Sequence, residues 1–314
     1  MPINRPMTSP HFFPCPPNRL ADAAGLLVNG GPTAGERFLA HARSTGINLS
    51  NLFCSGDPKG ALGGAALAIA APGRTAMIAI SSPTSIEKAE HLGKLIAHAV
   101  ASIRGEIDLA QALVPPEKAL ETHAFECAGF TRLAMLDYLE RPMPRLFAGV
   151  VSDLAAGWSL ESIDITKVGA REEVCAVLER TYEDTLDCPA LAGMRKTSDV
   201  LDGHIRAGAG ARWWVALRDV EGRAHGLALL NPAVTDSTTE LVYFGLAPEA
   251  RGKGLGIALL SRAIAAVLRD RPGMIVLAVD ARNAPAHALY ARLGFRCVTQ
   301  RLALVLRPDA TRDD

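Results

Sequence analysis

The sequence predicts an α/β fold of the α+β kind, a mixed sheet flanked by helices, built twice in tandem. Three observations predict it. The 314 residues exceed one ordinary core and suit two domains. Strand-like runs come first in antiparallel style and then alternate with helix-like runs. The chain also repeats itself: setting Pro248 on Pro83 shifts it by 165 residues, and the same shift brings Gly294-Phe295 onto Gly129-Phe130 without a gap. Between these anchors "IALLSRAIAAVLR" falls on "LGKLIAHAVASIR" and "ALYARLGF" on "HAFECAGF". So long a register marks a duplicated domain rather than a solenoid of short repeats.

In the first copy, "ADAAGLLVNG" and "GERFLAHARST" read as helices ending at Gly or polar stops. "NLFCSG", "GGAALAIAA" and "RTAMIAI" read as strands, and "SIEKAEHLGKLIAHAVASIRG" as an amphipathic helix. The prolines of "ERPMPRLFAGV" place the domain boundary there, giving domains at 1–150 and 151–314. The second copy opens with "SLESIDITKV" as a strand and "REEVCAVLERTYEDTL" and "TSDVLDGHIRAG" as helices. "ARWWVALRD" and "AHGLALLNPA" form a hairpin around "VEGR", and "TELVYFGLAP" adds a strand. Helix "IALLSRAIAAVLRD", strand "MIVLAVD", helix "APAHALYARLGF" and strand "RCVTQRLALVL" complete it.

Composition excludes several functions. Lys+Arg and Asp+Glu number 33 each, and this neutrality argues against nucleic acid or an anionic membrane as partner. Cys15, Cys54, Cys127, Cys175, Cys188 and Cys297 form no CxxC pair, so neither a zinc cluster nor a disulfide scaffold is expected, and the thiols fit a cytoplasmic protein. The proline-rich start has no apolar signal core, and "GALGGAALAIAAPG" is shorter than the roughly 20 residues of a membrane helix.

The chemistry concentrates in "PEARGKGLGIALL", residues 248 to 260. A helix N-terminus presents unpaired N–H groups and partial positive charge, and glycines let an anion come close. Gly252, Gly254 and Gly256 would give access, with Arg251 and Lys253 adding charge. No Ser or Thr follows Lys253, so this is no P-loop. Counting GxGxxG from Gly254 puts the third glycine at Leu259, so the dinucleotide fingerprint fails too. What remains is R-x-x-G-x-G between a strand and a helix, followed by Asn283, Tyr290 and Gly294-Phe295.

Together these residues resemble the GNAT superfamily of acetyl-CoA-dependent N-acetyltransferases, over residues 160 to 308 directly and over the first copy through the repeat. Size and tandem arrangement are similar to mycothiol synthase-like members. The resemblance implies acetyl-CoA as co-substrate. The strand ending at Leu246 and Ala247 would splay and pair with the pantetheine arm, and the amides of Gly252, Lys253, Gly254, Leu255 and Gly256 would hold the pyrophosphate. It implies Tyr290 as the acid for the departing thiolate and Glu240 as the base for the amine. Asn283 would bind the cofactor arm or simply cap its helix. Strand alternation puts Glu240, Val242, Phe244 and Leu246 on one face.

Other residues carry weaker expectations. One of Trp213 and Trp214 belongs to the core and the other to the acceptor cleft. Glu183, Asp184 and Asp187 read as a solvated helix end, or as a holder for a cationic amine. His204, His225 and His287 have no ligand spacing. In the first copy the loop falls on Ile86 to His91, with Glu87 and Glu90 where phosphate would sit, and Tyr290 falls on Phe125. That copy is expected to be degenerate, a platform or the holder of another ligand. The function expected is acetyl transfer to a small-molecule amine by a monomer or homodimer. A coenzyme A sensor or scaffold, or a peptide or protein acetyltransferase, stands as the alternative.

Overall fold

The computed structural model describes residues 12–143, 154–207, 213–233, 237–270 and 273–308. The boundary expected between residues 150 and 151 lies outside them. Packing divides the chain into two compact units, one ending at Arg132 and resuming at Leu302, the other running from Leu133 to Arg301.

The first unit contains β1 (Phe12–Pro14), α1 (Leu20–Leu27), α2 (Pro32–Thr45), β2 (Leu52–Gly56), β3 (Leu62–Ala71), β4 (Thr75–Ile80), α3 (Ile86–Ala101), β5 (Leu109–Val114) and α4 (Ala119–Cys127). β6 (Thr131–Met143) follows and runs into the second unit. There the chain forms β7 (Trp158–Ser162), α5 (Ala170–Tyr182), α6 (Thr197–Ala207), β8 (Trp213–Asp219), β9 (Ala224–Pro232), β10 (Thr238–Leu246), α7 (Leu255–Asp270), β11 (Gly273–Asp280), α8 (Ala284–Arg292) and β12 (Arg296–Leu306). The segment "SLESIDITKV" is a strand only through Ser162, because Asp164 turns the chain by accepting from the Thr166 amide and hydroxyl. By the shift of 165, β5, α4 and β6 answer to β11, α8 and β12, whereas β1 lies outside the repeat.

Within the first unit β1 to β5 pair in chain order, antiparallel except for β4 with β5. In the second, the order β11-β10-β9-β8-β7 is likewise antiparallel except for β10 with β11. The final strand of each copy crosses over. β6 pairs with β11, Leu136 to Met143 against Asp280 to Gly273, while Leu302 to Leu306 of β12 pair with Val114 to Ala110 of β5. The cores record the same exchange: Leu304 packs with Ile96, Ala112 and Phe125, and Leu139 packs with Leu259, Leu277 and Tyr290.

The parallel pairs in both units are short. β10 meets β11 only at Thr238, Thr239 and Glu240, and β4 meets β5 only at Thr75, Ala76 and Met77. Each pair then opens into a cleft.

Candidate functional site

Beyond Glu240, β10 runs on to Leu246 with β9 on one side and no paired strand on the other. This is the splay that the family resemblance implies. A bulge interrupts β10 between Leu241 and Tyr243, where Val242 has no partner on β9. The bulge resets the alternation. Leu241, Phe244 and Leu246 therefore face α7 and Tyr290, whereas Val242 and Tyr243 pack toward α5 and α6. The single face expected for Glu240, Val242, Phe244 and Leu246 does not exist. Glu240 aligns with Asn231 and Val276 on the face opposite Phe244.

β10 ends in a 3-10 turn, Pro248–Ala250, and the loop then enters α7 at Leu255. Gly252 and Gly254 take φ of 72° and 74°, a left-handed conformation that favours glycine, and a Cβ on either would meet open space. Leu255 and Gly256 open α7, whose first amides have no carbonyl a turn earlier to bond. Gly256 differs from the other two glycines. It is buried, and a Cβ there would lie 3.0 Å from Leu289 Cδ1 and 3.4 Å from Phe244 Cζ and Leu246 Cδ1. Its missing side chain lets the helix seat against the strand, rather than opening the loop to a ligand.

The cations of the loop are also used differently from the expectation. Arg251 Nε donates to the Leu246 carbonyl at 2.9 Å, and its Nη2 donates to the carbonyls of Thr181 at 3.1 Å and Glu183 at 2.6 Å. Its Nη1 reaches the Asp184 carbonyl at 3.3 Å. The guanidinium thus caps the C-terminus of α5 instead of projecting into the loop. Lys253 is exposed, with Nζ 5.8 Å from the Trp158 ring centroid. Leu246 gives its carbonyl to Arg251, and the Ala247 amide donates to the His225 carbonyl at 2.8 Å. The edge left bare is Leu241–Gly245 rather than these last two residues. Behind the loop, the His225 ring lies between Asp219 (2.7 Å) and Glu249 (2.8 Å), tying the start of β9 to the Pro248–Ala250 turn.

Tyr290, on α8, is 6% exposed and packs edge-on against Phe244 and Phe295. Burial pushes its phenol above the ordinary tyrosine range, with Asp187 adding to the shift. The group is therefore a protonated donor at neutral pH. Asn283 caps α8 through Oδ1, which accepts from the Ala286 amide at 3.2 Å. The Glu240 side chain is exposed overall, yet enough protein surrounds its carboxyl for desolvation to raise the pKa.

Asp187 is the residue that sequence reading undervalued. Its side chain is exposed like those of Glu183 and Asp184, yet its Oδ1 accepts from the Asp280 amide at 2.9 Å and so ties this segment to the end of β11. Desolvation raises its carboxyl, and its charge acts on both Tyr290 and Tyr243. Glu183 and Asp184 are exposed and lend only carbonyls, to Arg251. Neither tryptophan lines a cleft: both are buried, Trp213 donating to Asp270 at 3.0 Å and Trp214 to Asn231 at 2.9 Å. Burial lowers the pKa of His204 to about 4, and His287 lies 3.4 Å from Asp137.

In the first unit the equivalent helix start is already satisfied. Ser85 caps α3 by accepting from the Lys88 amide at 3.3 Å, and Glu87 occupies its first turn. Phe125 is buried against Phe130 where the second unit has Tyr290 against Phe295.

Comparison with known proteins agrees with this geometry. Residues 178–295 match the acetyltransferase (GNAT) family model. The chain is 33% identical over 89 residues to the 5-NmdU N-acetyltransferase of Pseudomonas phage PaMx11, covering 28% of this chain and 61% of that protein. It is 41% identical over 63 residues to the mycothiol acetyltransferase of Corynebacterium jeikeium (strain K411), covering 20% of this chain and 18% of that one. The chain thus spans less than two thirds of each of these relatives. A solved tandem GNAT protein from the clavulanic acid biosynthesis pathway superposes with a TM-score of 0.56 at 16% identity, over 96% of this chain and 100% of that one. Residues 178–295 thus carry a GNAT acetyltransferase domain, and the chain as a whole shares the tandem GNAT fold.

Proposed function

We propose that the protein is an acetyl-CoA-dependent N-acetyltransferase whose second unit transfers an acetyl group to the amine of a small molecule. The observation that carries this reading is a coincidence in one place. The bare edge Leu241–Gly245 leads through the Pro248–Ala250 turn into the open start of α7, and Tyr290 packs against Phe244 of that same edge. The strand edge would pair with the pantetheine amides, and the amides of residues 252 to 256 would hold the pyrophosphate. Arg251 would serve this site by fixing the loop against α5.

Acetyl-CoA supplies an activated acyl group, and the chain's residues manage two protons. Glu240, its carboxyl raised by desolvation, would take the proton of the attacking amine, directly or through water. Tyr290 would donate to the departing sulfur. Asn283 would hold α8, and with it Tyr290, in place through its cap. The names of the two relatives, each an acetyltransferase, support the reaction class.

The test is release of the coenzyme A thiol from acetyl-CoA in the presence of ethanolamine, 1,4-diaminobutane, glucosamine, L-aspartate and a lysine-containing peptide. Transfer to at least one small amine, with the acetylated product found by mass spectrometry, is expected. Tight acetyl-CoA binding with no transfer to any of them would favour a sensor, and transfer to the peptide alone would favour a protein acetyltransferase.

A further inference from the structure

We infer that Tyr138, on the exchanged strand β6, contacts and positions the acceptor; the inference rests on the proposed reaction and deepens it. The register fixes its place. Glu240 aligns with Val276 and Val276 with Glu140, while two residues along β11 Ala278 aligns with Tyr138. Aligned residues on paired strands share a face, as do alternate residues on one strand. Glu240, Val276, Ala278, Glu140 and Tyr138 therefore face the same way. The opposite face, with Ile275, Leu277 and Val279, is buried against α7.

α5 and α6 cover this face over β8, β9 and β10, where Trp214, Leu229 and Tyr243 join their core. They do not cover β11, because Ala278 is exposed. A strip is left open, with Val276 and Ala278 as floor, Glu240 on one side and Tyr138 on the other. Tyr138 is half-buried. Desolvation raises its phenol, the Arg301 charge beside it opposes the rise, and Glu240 adds a smaller upward push. A substrate amine brought to Glu240 would lie over Ala278, with the rest of the molecule against Tyr138.

The repeat supplies an independent observation. The shift of 165 that matches the two copies sets Tyr138 on Ala303 and Glu140 on Val305. Ala303 and Val305 are 5% and 4% exposed, and they pair with Leu113 and Gln111 in the first unit. Strand exchange thus delivers a phenol and a carboxylate to the unit with the open loop, and a methyl and an isopropyl group to the other. A strand kept only for packing would not need that asymmetry.

Tyr138→Phe in the full chain should raise KM at least tenfold for whichever amine of the panel above is the best acceptor. The Kd of acetyl-CoA should stay within twofold. As a second variant, Tyr138→Cys is treated with N-ethylmaleimide and the label is located by peptide mass spectrometry. Labelling at 138 should stop transfer to that amine and leave acetyl-CoA binding intact. Unchanged KM in Tyr138→Phe, together with normal transfer by the labelled protein, would overturn the inference and leave the proposed reaction standing. Absence of transfer by the parent protein would instead overturn the reaction, and this inference with it.

Discussion

In the first unit the Ser82 hydroxyl donates a hydrogen bond to the Glu121 carboxylate, joining the end of β4 to α4 across the mouth of the cleft between β4 and β5. The repeat sets these residues on Ala247 and Ala286, which can form no such link. Both units have the splay, but only the first is latched. Glu121 Oε1 also lies 3.8 Å from Lys118 Nζ, and its side chain is 15% exposed. Removing one partner leaves the other poorly satisfied, so Ser82→Ala should destabilise the protein by about 1–2 kcal/mol. Denaturant unfolding checks this, and acetyl transfer should be unaffected. A variant that unfolds at the parental midpoint would show the latch to be dispensable.

Arg251→Lys should behave as a substantial loss although charge is preserved. An ammonium cannot reach the carbonyls of Leu246, Thr181, Glu183 and Asp184 as the guanidinium fork does. Charge-assisted hydrogen bonds contribute about 1.5–3 kcal/mol each when well buried, less here at a half-exposed site. The expected outcome is a drop of about 1–2 kcal/mol in stability together with weaker acetyl-CoA binding. Unchanged affinity would show that the loop holds its shape without the α5 contact.

Tyr290→Phe should cut turnover by roughly 10²–10⁴-fold, the usual effect of losing a general acid or base. The ring and its contacts with Phe244 and Phe295 remain, so acetyl-CoA affinity should barely move. Steady-state rates and calorimetry separate the two effects. Parental turnover would remove Tyr290 from the proton inventory. The Phe125 of the first unit already models the variant, and Phe125→Tyr should give that half no activity.

How much of this was legible in the sequence depends on the range of the interaction involved. The loop and Tyr290 are short local patterns, and the repeat is a direct match of one half of the sequence to the other. The strand exchange was not legible, since a shift of 165 shows that β6 and β12 are equivalent but not which sheet each joins. The bulge at Val242 has no glycine to announce it, so strict alternation misplaced Glu240 relative to Phe244. The Thr181, Glu183 and Asp184 carbonyls that Arg251 holds lie about seventy residues away in sequence, and the Asp280 amide bound by Asp187 lies farther still. Such contacts leave no periodic trace.

Glu240→Gln should act through pH. Desolvation raises the Glu240 carboxyl, and the base works only when ionised, so parental kcat/KM should fall as pH drops through that raised value. The acid limb should therefore lie above the ordinary carboxylate range near 4.3. The glutamine variant should be slower at every pH and should lose that limb, with acetyl-CoA affinity unchanged. A variant matching the parental rate from pH 6 to 9 would assign the base elsewhere.

Titration calorimetry with acetyl-CoA tests the central claim, that one cleft per chain works and that it is the one beside Gly254. The parent should bind a single equivalent. Asparagine tolerates the φ of 74° at this position, so Gly254→Asn should fold normally while its side chain enters the open space where the pyrophosphate would sit. Binding should then weaken by at least a hundredfold with the unfolding midpoint nearly unchanged. Two equivalent sites in the parent, or one site of unaltered affinity in Gly254→Asn, would contradict the account.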